Sequence, residues 1–161
     1  NKDIQFMRAM PNTSSKFNLG ITAIFNATFK EGNLKKVKKL FKNVGIVLEL
    51  DKENKIDVFT GMIGSGPAYF FYLLKSYQKK LMYLCHSDQK MVNDVMVNLI
   101  KGVGSSIEHN QDLDELIAAV ASKRGTTEAG LNSFKSRKLN KSFEDSINAA
   151  IQRSKEISNE F

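Results

Sequence analysis

Gly64-Ser65-Gly66-Pro67-Ala68-Tyr69 is the stretch on which the reading of the fold turns. Its glycines allow a tight turn, Ser65 offers a capping oxygen, and Pro67 suits a first helical position, where no amide donor is needed. The stretch therefore predicts a helix start. The residues that follow, Pro67 to Leu84, are apolar on nearly every side, with Tyr69, Phe70, Phe71, Leu73, Leu74, Tyr77 and Leu81. A helix of that pattern is normally buried. In a chain of 161 residues one of its surfaces must be covered by something else, and a partner subunit is the natural candidate.

Toward the C-terminus the periodicity stays helical. A helix is predicted from Ser87, with Asp88 in its first turn and an apolar stripe of Met91, Val92, Val95, Met96, Leu99, Ile100 and Val103. Asp112 and Glu115 form a capping-box-like start for a short helix bearing Leu113, Leu116, Ile117 and Val120. A further helix is predicted from Thr127 to Ser136, and a last one from near Ser142 with Phe143, Ile147, Ala150, Ile151 and Ile157. Residues 54–161 thus read as all helix. The Met-rich and aromatic stripes read as core rather than as a cofactor box.

Toward the N-terminus the texture changes. Ile21 to Phe25 reads as a strand, Glu31 to Val44 as a helix with Leu34, Val37, Leu40, Phe41 and Val44 on one face, and Ile46 to Leu50 as a second strand. Gly45 stands where it would end the helix. A strand–helix–strand order over residues 1–53 suggests part of a nucleotide-binding α/β domain. Asn1-Lys2-Asp3 has no initiator Met and no signal-peptide pattern, which predicts a chain that begins inside a longer protein.

Composition narrows the partners. The net charge is +7, but Lys35, Lys36, Lys38 and Lys39 alternate around Val37 and Leu40, as on the solvated side of an amphipathic helix. No aromatic stacking pattern accompanies them, so no nucleic-acid partner is expected. No apolar run approaches ~18 residues, so no membrane span is expected. One cysteine, Cys85, excludes an internal disulfide, and with two histidines no metal-ligand spacing exists. Cys85 reads as a half-buried cysteine at a helix end, and His86 and His109 as helix-end residues. A cytoplasmic location fits.

No nucleophile–base constellation and no G-x-G-x-x-G fingerprint is present. The candidate site is Ser122-Lys123-Arg124-Gly125-Thr126-Thr127. Polar residues and a glycine lead into a helix start, where free backbone N–H groups point outward. The amides of Gly125, Thr126 and Thr127 are placed to hold a carboxylate, with hydroxyls from the threonines and positive charge from Lys123 and Arg124. From the residues alone the segment reads either as such a cradle or as an ordinary capped turn.

The order of segments resembles the later part of pyrroline-5-carboxylate reductase. Arg8 to Thr13 resembles that family's R-x-M-P-N-T segment. Glu53 with Ile56-Asp57 resembles E-x-x-I-D, and Thr60-Gly61 with Gly64 to Tyr69 resembles T-G-x-x-G-S-G-P-A-Y. Val120-Ala121-Ser122 with Gly125-Thr126-Thr127 resembles V-x-S-P-G-G-T-T, and Ala149-Ala150 with Arg153 to Glu156 resembles the closing A-A-x-x-R-x-x-E helix. The G-S-G-P-A-Y and G-T-T pair is the specific part. The resemblance implies a mainly α chain: a helical dimerisation and substrate-binding domain over 54–161, preceded over 1–53 by the C-terminal part of a Rossmann domain. It implies an enzyme that reduces 1-pyrroline-5-carboxylate to L-proline with NADPH or NADH, and a homodimer of interlocked helices that can assemble further. It implies that Gly125, Thr126 and Thr127 hold the substrate carboxylate, that Ser122 lines the pocket, and that Thr127 assists protonation of the substrate nitrogen. Glu53 would lie near that nitrogen, and Met10, Pro11 and Asn12 beside the nicotinamide.

The chain departs from the pattern in places. Lys123-Arg124 replaces the usual Pro-Gly; proline would stiffen the loop, and glycine permits a backbone geometry that arginine tolerates poorly. Arg124 either adds a charge contact to the carboxylate or blocks the pocket. Ser14 stands where proline is frequent, Ile63 where a small polar residue is common, and Ala119 where some relatives have an asparagine. With the glycine-rich phosphate loop outside these residues, the chain alone is expected to be inactive. The alternative expectation is a catalytically inactive helical dimerisation module derived from the same family.

Overall fold

A computed structural model describes residues 4–160, so Asn1-Lys2-Asp3, read above as a start inside a longer protein, and Phe161 lie outside the described residues. The described chain forms two compact units, one of residues 4–70 with 143–160 and one of residues 71–142.

In the first unit β1 (Met7–Pro11), β2 (Gly20–Asn26) and β3 (Gly45–Leu50) form a sheet in the order β1-β2-β3. β1 runs antiparallel to β2, pairing Ala9 with Ile24, and β3 runs parallel to β2, pairing Ile24 with Glu49. A parallel pair needs a crossover, and α1 (Glu31–Lys42) supplies it. The central strand carries the core, with Thr22, Ala23 and Ile24 buried. The strand–helix–strand order is as the sequence predicts, whereas β1 carries no alternating pattern that would have announced it. Gly45 does not end α1. Asn43 is the C-cap, and Gly45 opens β3 at φ +142°, where a Cβ would lie 1.9 Å from the Gly20 carbonyl oxygen. The sheet, not the helix, needs this glycine.

The G-S-G-P-A-Y stretch continues a helical path rather than starting one. α2 (Lys55–Phe59) passes through a π turn (Thr60–Gly64) into α3 (Gly66–Leu84). Ser65 is itself helical at φ −82°, ψ −18°, so it does not cap α3, and Pro67 is the second residue of that helix. In the wider turn the Ser65 amide donates to the Thr60 carbonyl at 2.9 Å. That leaves the Gly61 carbonyl without a helical partner, and the Tyr69 hydroxyl donates to it at 2.8 Å. The Thr60 hydroxyl donates to the Ile56 carbonyl at 2.8 Å.

α7 (Leu139–Asn159) packs on this turn within the same unit. A Cβ built on Gly61 would lie 2.6 Å from the Ile151 backbone nitrogen. The Tyr69 ring meets Phe143 edge-on at 6.1 Å, and Phe70 meets Phe143 at 6.2 Å. The Asp57 carboxylate accepts from the hydroxyls of Ser154 at 3.1 Å and Ser158 at 2.6 Å. α7 begins at Leu139, a few residues ahead of the predicted Ser142.

The second unit holds α4 (Gln89–His109), α5 (Leu113–Val120) and α6 (Thr126–Ser136). Asp88, not Ser87, is the N-cap of α4, accepting from the amides of Lys90 and Met91 at 2.9 and 3.1 Å. His86 and Ser87 before it adopt left-handed φ values of 50° and 64°. Asp112 caps α5 by accepting from the amides of Asp114 and Glu115, while the Glu115 carboxylate accepts from the Asn110 side chain instead of closing the box. Among the described residues of this unit only Leu81 and Val92 are buried hydrophobics. Tyr72, Tyr83 and Val120 are 77%, 90% and 70% exposed. The pattern that predicts a buried α3 is present, but a single chain does not bury it.

Replacing Gly61 by alanine forces a Cβ into the α7 backbone. The variant should lose roughly 1–3 kcal/mol in denaturant unfolding; unchanged stability would show that the two segments separate freely.

Candidate functional site

Ser122, Lys123, Arg124 and Gly125 form a turn that delivers the chain into α6. The Gly125 amide donates to the Ser122 carbonyl at 2.9 Å, and Arg124 sits at φ +59°. A first-to-fourth bond with a positive φ at the third residue alone is the type II pattern, which favours proline at the second position and glycine at the third. Lys123 and Arg124 fill those positions here. The sequence reading that this geometry suits arginine poorly is therefore met by the backbone itself. A non-glycine residue there costs about 1–2 kcal/mol.

Gly125 is the N-cap of α6, and being glycine it supplies no side-chain cap. A Cβ at this position would lie 2.3 Å from Ser122 Oγ and 2.9 Å from the Ser122 carbonyl oxygen. Its glycine identity thus serves the turn, and its own amide is already engaged. The amides of Thr126 and Thr127 have no hydrogen-bond partner among the described residues, nor has the Thr127 hydroxyl. They are the open donors at the positive end of an eleven-residue helix.

Thr127 is half-buried and borders a cavity of about 500 Å³ between α4, α5 and α6. Its other walls are mostly apolar, including Val103, Ile107, Ile117 and Leu131, with Ser106 as a second hydroxyl. Ala119, noted for its departure from the family pattern, lines the same cavity. Ser122 and Thr126 are exposed beside it in sequence. The structure thus gathers Ser122, Gly125, Thr126 and Thr127 at one helix start.

Glu53, Met10, Pro11 and Asn12 lie in the first unit. Glu53 pairs with Arg8 at 3.0 Å, with both side chains about half exposed at 55% and 51%. Such a pair contributes at most about 1 kcal/mol. Met10 reaches over the π turn, its terminal methyl 3.4 Å from where a Gly64 Cβ would stand. Asn12 fixes the β1 end, its side-chain oxygen accepting from the Ile21 amide at 3.0 Å and its own amide donating to the Ile21 carbonyl at 3.2 Å.

One residue of the turn escapes the sequence reading. Glu128, at the third helical position of α6, accepts a hydrogen bond from the Arg124 amide at 2.7 Å. A glutamate three residues past a helix cap is a known signal, but the glycine at 125 hides the serine or threonine half of it. A hydrogen bond to a charged acceptor is worth about 1.5–3 kcal/mol, enough to offset the left-handed arginine.

Helices that turn apolar faces outward mark an associating helical domain. Residues 53–157 match the family model for the pyrroline-5-carboxylate reductase dimerisation domain. The chain belongs to the pyrroline-5-carboxylate reductase family. It is 33% identical over 153 residues to the pyrroline-5-carboxylate reductase of Staphylococcus haemolyticus, covering 94% of this chain and 56% of that protein. The chain therefore spans little more than half the length of that relative. Among solved structures, the pyrroline-5-carboxylate reductase of Coxiella burnetii superposes with a TM-score of 0.85 at 27% identity, over 94% of this chain and 57% of that one. The pyrroline carboxylate reductase of Plasmodium falciparum, solved with NADP bound, shares the fold at a TM-score of 0.85 and 23% identity, over 96% and 59% of the two chains. No helix among the described residues is long and apolar enough to cross a membrane.

Changing Arg124 to glycine should raise stability by about 1 kcal/mol in denaturant melts, because it removes the left-handed penalty. A loss of stability would mean that the arginine side chain contributes more than its backbone costs.

Proposed function

We propose that the chain is the later part of a pyrroline-5-carboxylate reductase, with residues 1–53 ending the cofactor domain and 54–161 forming the dimerisation and substrate-binding domain. The observation that carries this reading is the pair of open amides at Thr126 and Thr127, set at a helix start in a chain of this family. The substrate 1-pyrroline-5-carboxylate bears a carboxylate, and two amides at the positive end of a helix suit that group. Gly125 shapes the turn and Ser122 lines it. The Thr127 hydroxyl, one residue into the helix and free of internal bonds, donates toward the substrate nitrogen and assists its protonation. A protonated imine is the better hydride acceptor, so a donor held in place there favours the transition state.

In the same reading Glu53 is the acidic residue for that nitrogen, a role proposed on the resemblance alone. NADPH or NADH, when bound, supplies the hydride. For its nicotinamide end the chain offers Met10, Pro11 and Asn12, whose backbone is braced by the Asn12–Ile21 bonds and therefore suits a fixed planar ring. The product is L-proline, the protein is cytoplasmic, and the working unit is a homodimer of interlocked helices. The exposed faces of α3, α4 and α5 support that assembly.

A second reading, a dimerisation module without catalysis, draws on one observation: Lys123-Arg124 occupies the positions that proline and glycine favour. Reductase assays on the longer protein separate the two. Thr127→Ala should lower kcat about tenfold or more while the dimer stays intact, and unchanged kinetics would remove Thr127 from the mechanism. Failure of the unaltered longer protein to reduce 1-pyrroline-5-carboxylate, followed by recovery when residues 123–124 become Pro-Gly, would favour the module.

A further inference from the structure

We infer that Glu128 is a positioning residue: its carboxylate holds the Arg124 backbone in the left-handed conformation that keeps the Thr126 and Thr127 amides presented together to an anionic substrate. The inference rests on the proposed role of this turn in binding the substrate carboxylate.

Nothing intrinsic to the turn residues favours its shape. Lys123 lacks the fixed φ of proline, and Arg124 at φ +59° lacks the freedom of glycine. Gly125 caps α6 without a side chain. The Gly125–Ser122 backbone bond closes the turn, but it forms equally in turns whose third residue has a negative φ. What distinguishes this turn is the bond from the Arg124 amide to Glu128 Oε2 at 2.7 Å, short and charge-assisted. It reaches the one residue of this turn whose backbone is unfavourable.

The placement of the carboxylate matters as well as its strength. Glu128 lies in the first turn of α6, where a negative charge is favoured by the helix. A glutamate there is able to fold back onto the first amides of its own helix and fill the anion site. The carboxylate is engaged instead by the Arg124 amide, one residue ahead of the cap, and the Thr126 and Thr127 amides stay open. Glu128 thus holds the loop and stays out of the cradle. A glutamine carbonyl accepts the same bond, and alanine does not.

Amide NMR on the isotope-labelled 161-residue chain tests this, with L-proline as the probe. Glu128→Ala should speed exchange of the Arg124 amide by about tenfold or more and erase its left-handed chemical-shift signature. Amides of α4 and α7 should not change. Glu128→Gln should preserve both signals, and Arg124→Gly added to Glu128→Ala should restore the left-handed backbone. In the unaltered chain L-proline should shift the Thr126 and Thr127 amides. Glu128→Ala should weaken that binding by about tenfold, and the Arg124→Gly addition should recover it. Unchanged Arg124 exchange in Glu128→Ala overturns the inference, as does a loosened turn that binds L-proline equally well. If L-proline leaves Thr126 and Thr127 unmoved in the unaltered chain, the substrate reading of the turn fails, while the Arg124 signals still decide whether Glu128 holds it.

Discussion

Apolar surface that one chain cannot bury governs this structure. Residues 71–142 carry most of α3 and all of α4, α5 and α6, yet Leu81 and Val92 are the buried hydrophobics among their described residues. Burial of a large apolar side chain contributes about 1.5–3 kcal/mol, and ordering each residue costs about as much. A unit that buries so little cannot hold its helices by itself. Phe71, Tyr72, Tyr83 and Leu84 along α3, and Val103, Ile107 and Val120 on α4 and α5, stand exposed on the single chain. Family membership in a dimerisation domain supplies the matching reason for such a surface.

The first unit solves its packing internally, by close approach rather than by bulk. Gly61 admits the backbone of α7 at Ile151, the π turn around it takes the Ser65 amide to the Thr60 carbonyl, and the Tyr69 hydroxyl donates to the Gly61 carbonyl. Asp57 then ties α2 to α7 through Ser154 and Ser158. A side chain at 61 would separate the helices, and without Tyr69 a carbonyl would be left unpaired.

Much of this was legible in the sequence, and the limits have physical causes. The β2–α1–β3 order, the long apolar α3 and the helices after it follow from period and composition. The role of G-S-G-P-A-Y is not legible, because local propensity does not announce the π turn, whose Gly61 lies against the α7 backbone at Ile151. Gly45 reads as a helix stop because a glycine just past a helix often serves that purpose; its tight pairing with Gly20 is a long-range fact. At the candidate site, the strain at Arg124 was visible as a departure from glycine, while the compensating Glu128 was not, since its partner is a backbone amide with no side-chain signature.

The proposed function rests on two features of different kind: a helix start with open amides suited to an anion, and an uncovered helical surface suited to a second chain. On the proposed reading a second chain completes the fold. Analytical ultracentrifugation of the 161-residue chain at micromolar concentration, paired with thermal unfolding over a range of concentrations, tests it most directly. The expected result is a dimer whose unfolding temperature rises with concentration. A stably folded monomer whose unfolding temperature is independent of concentration would contradict it.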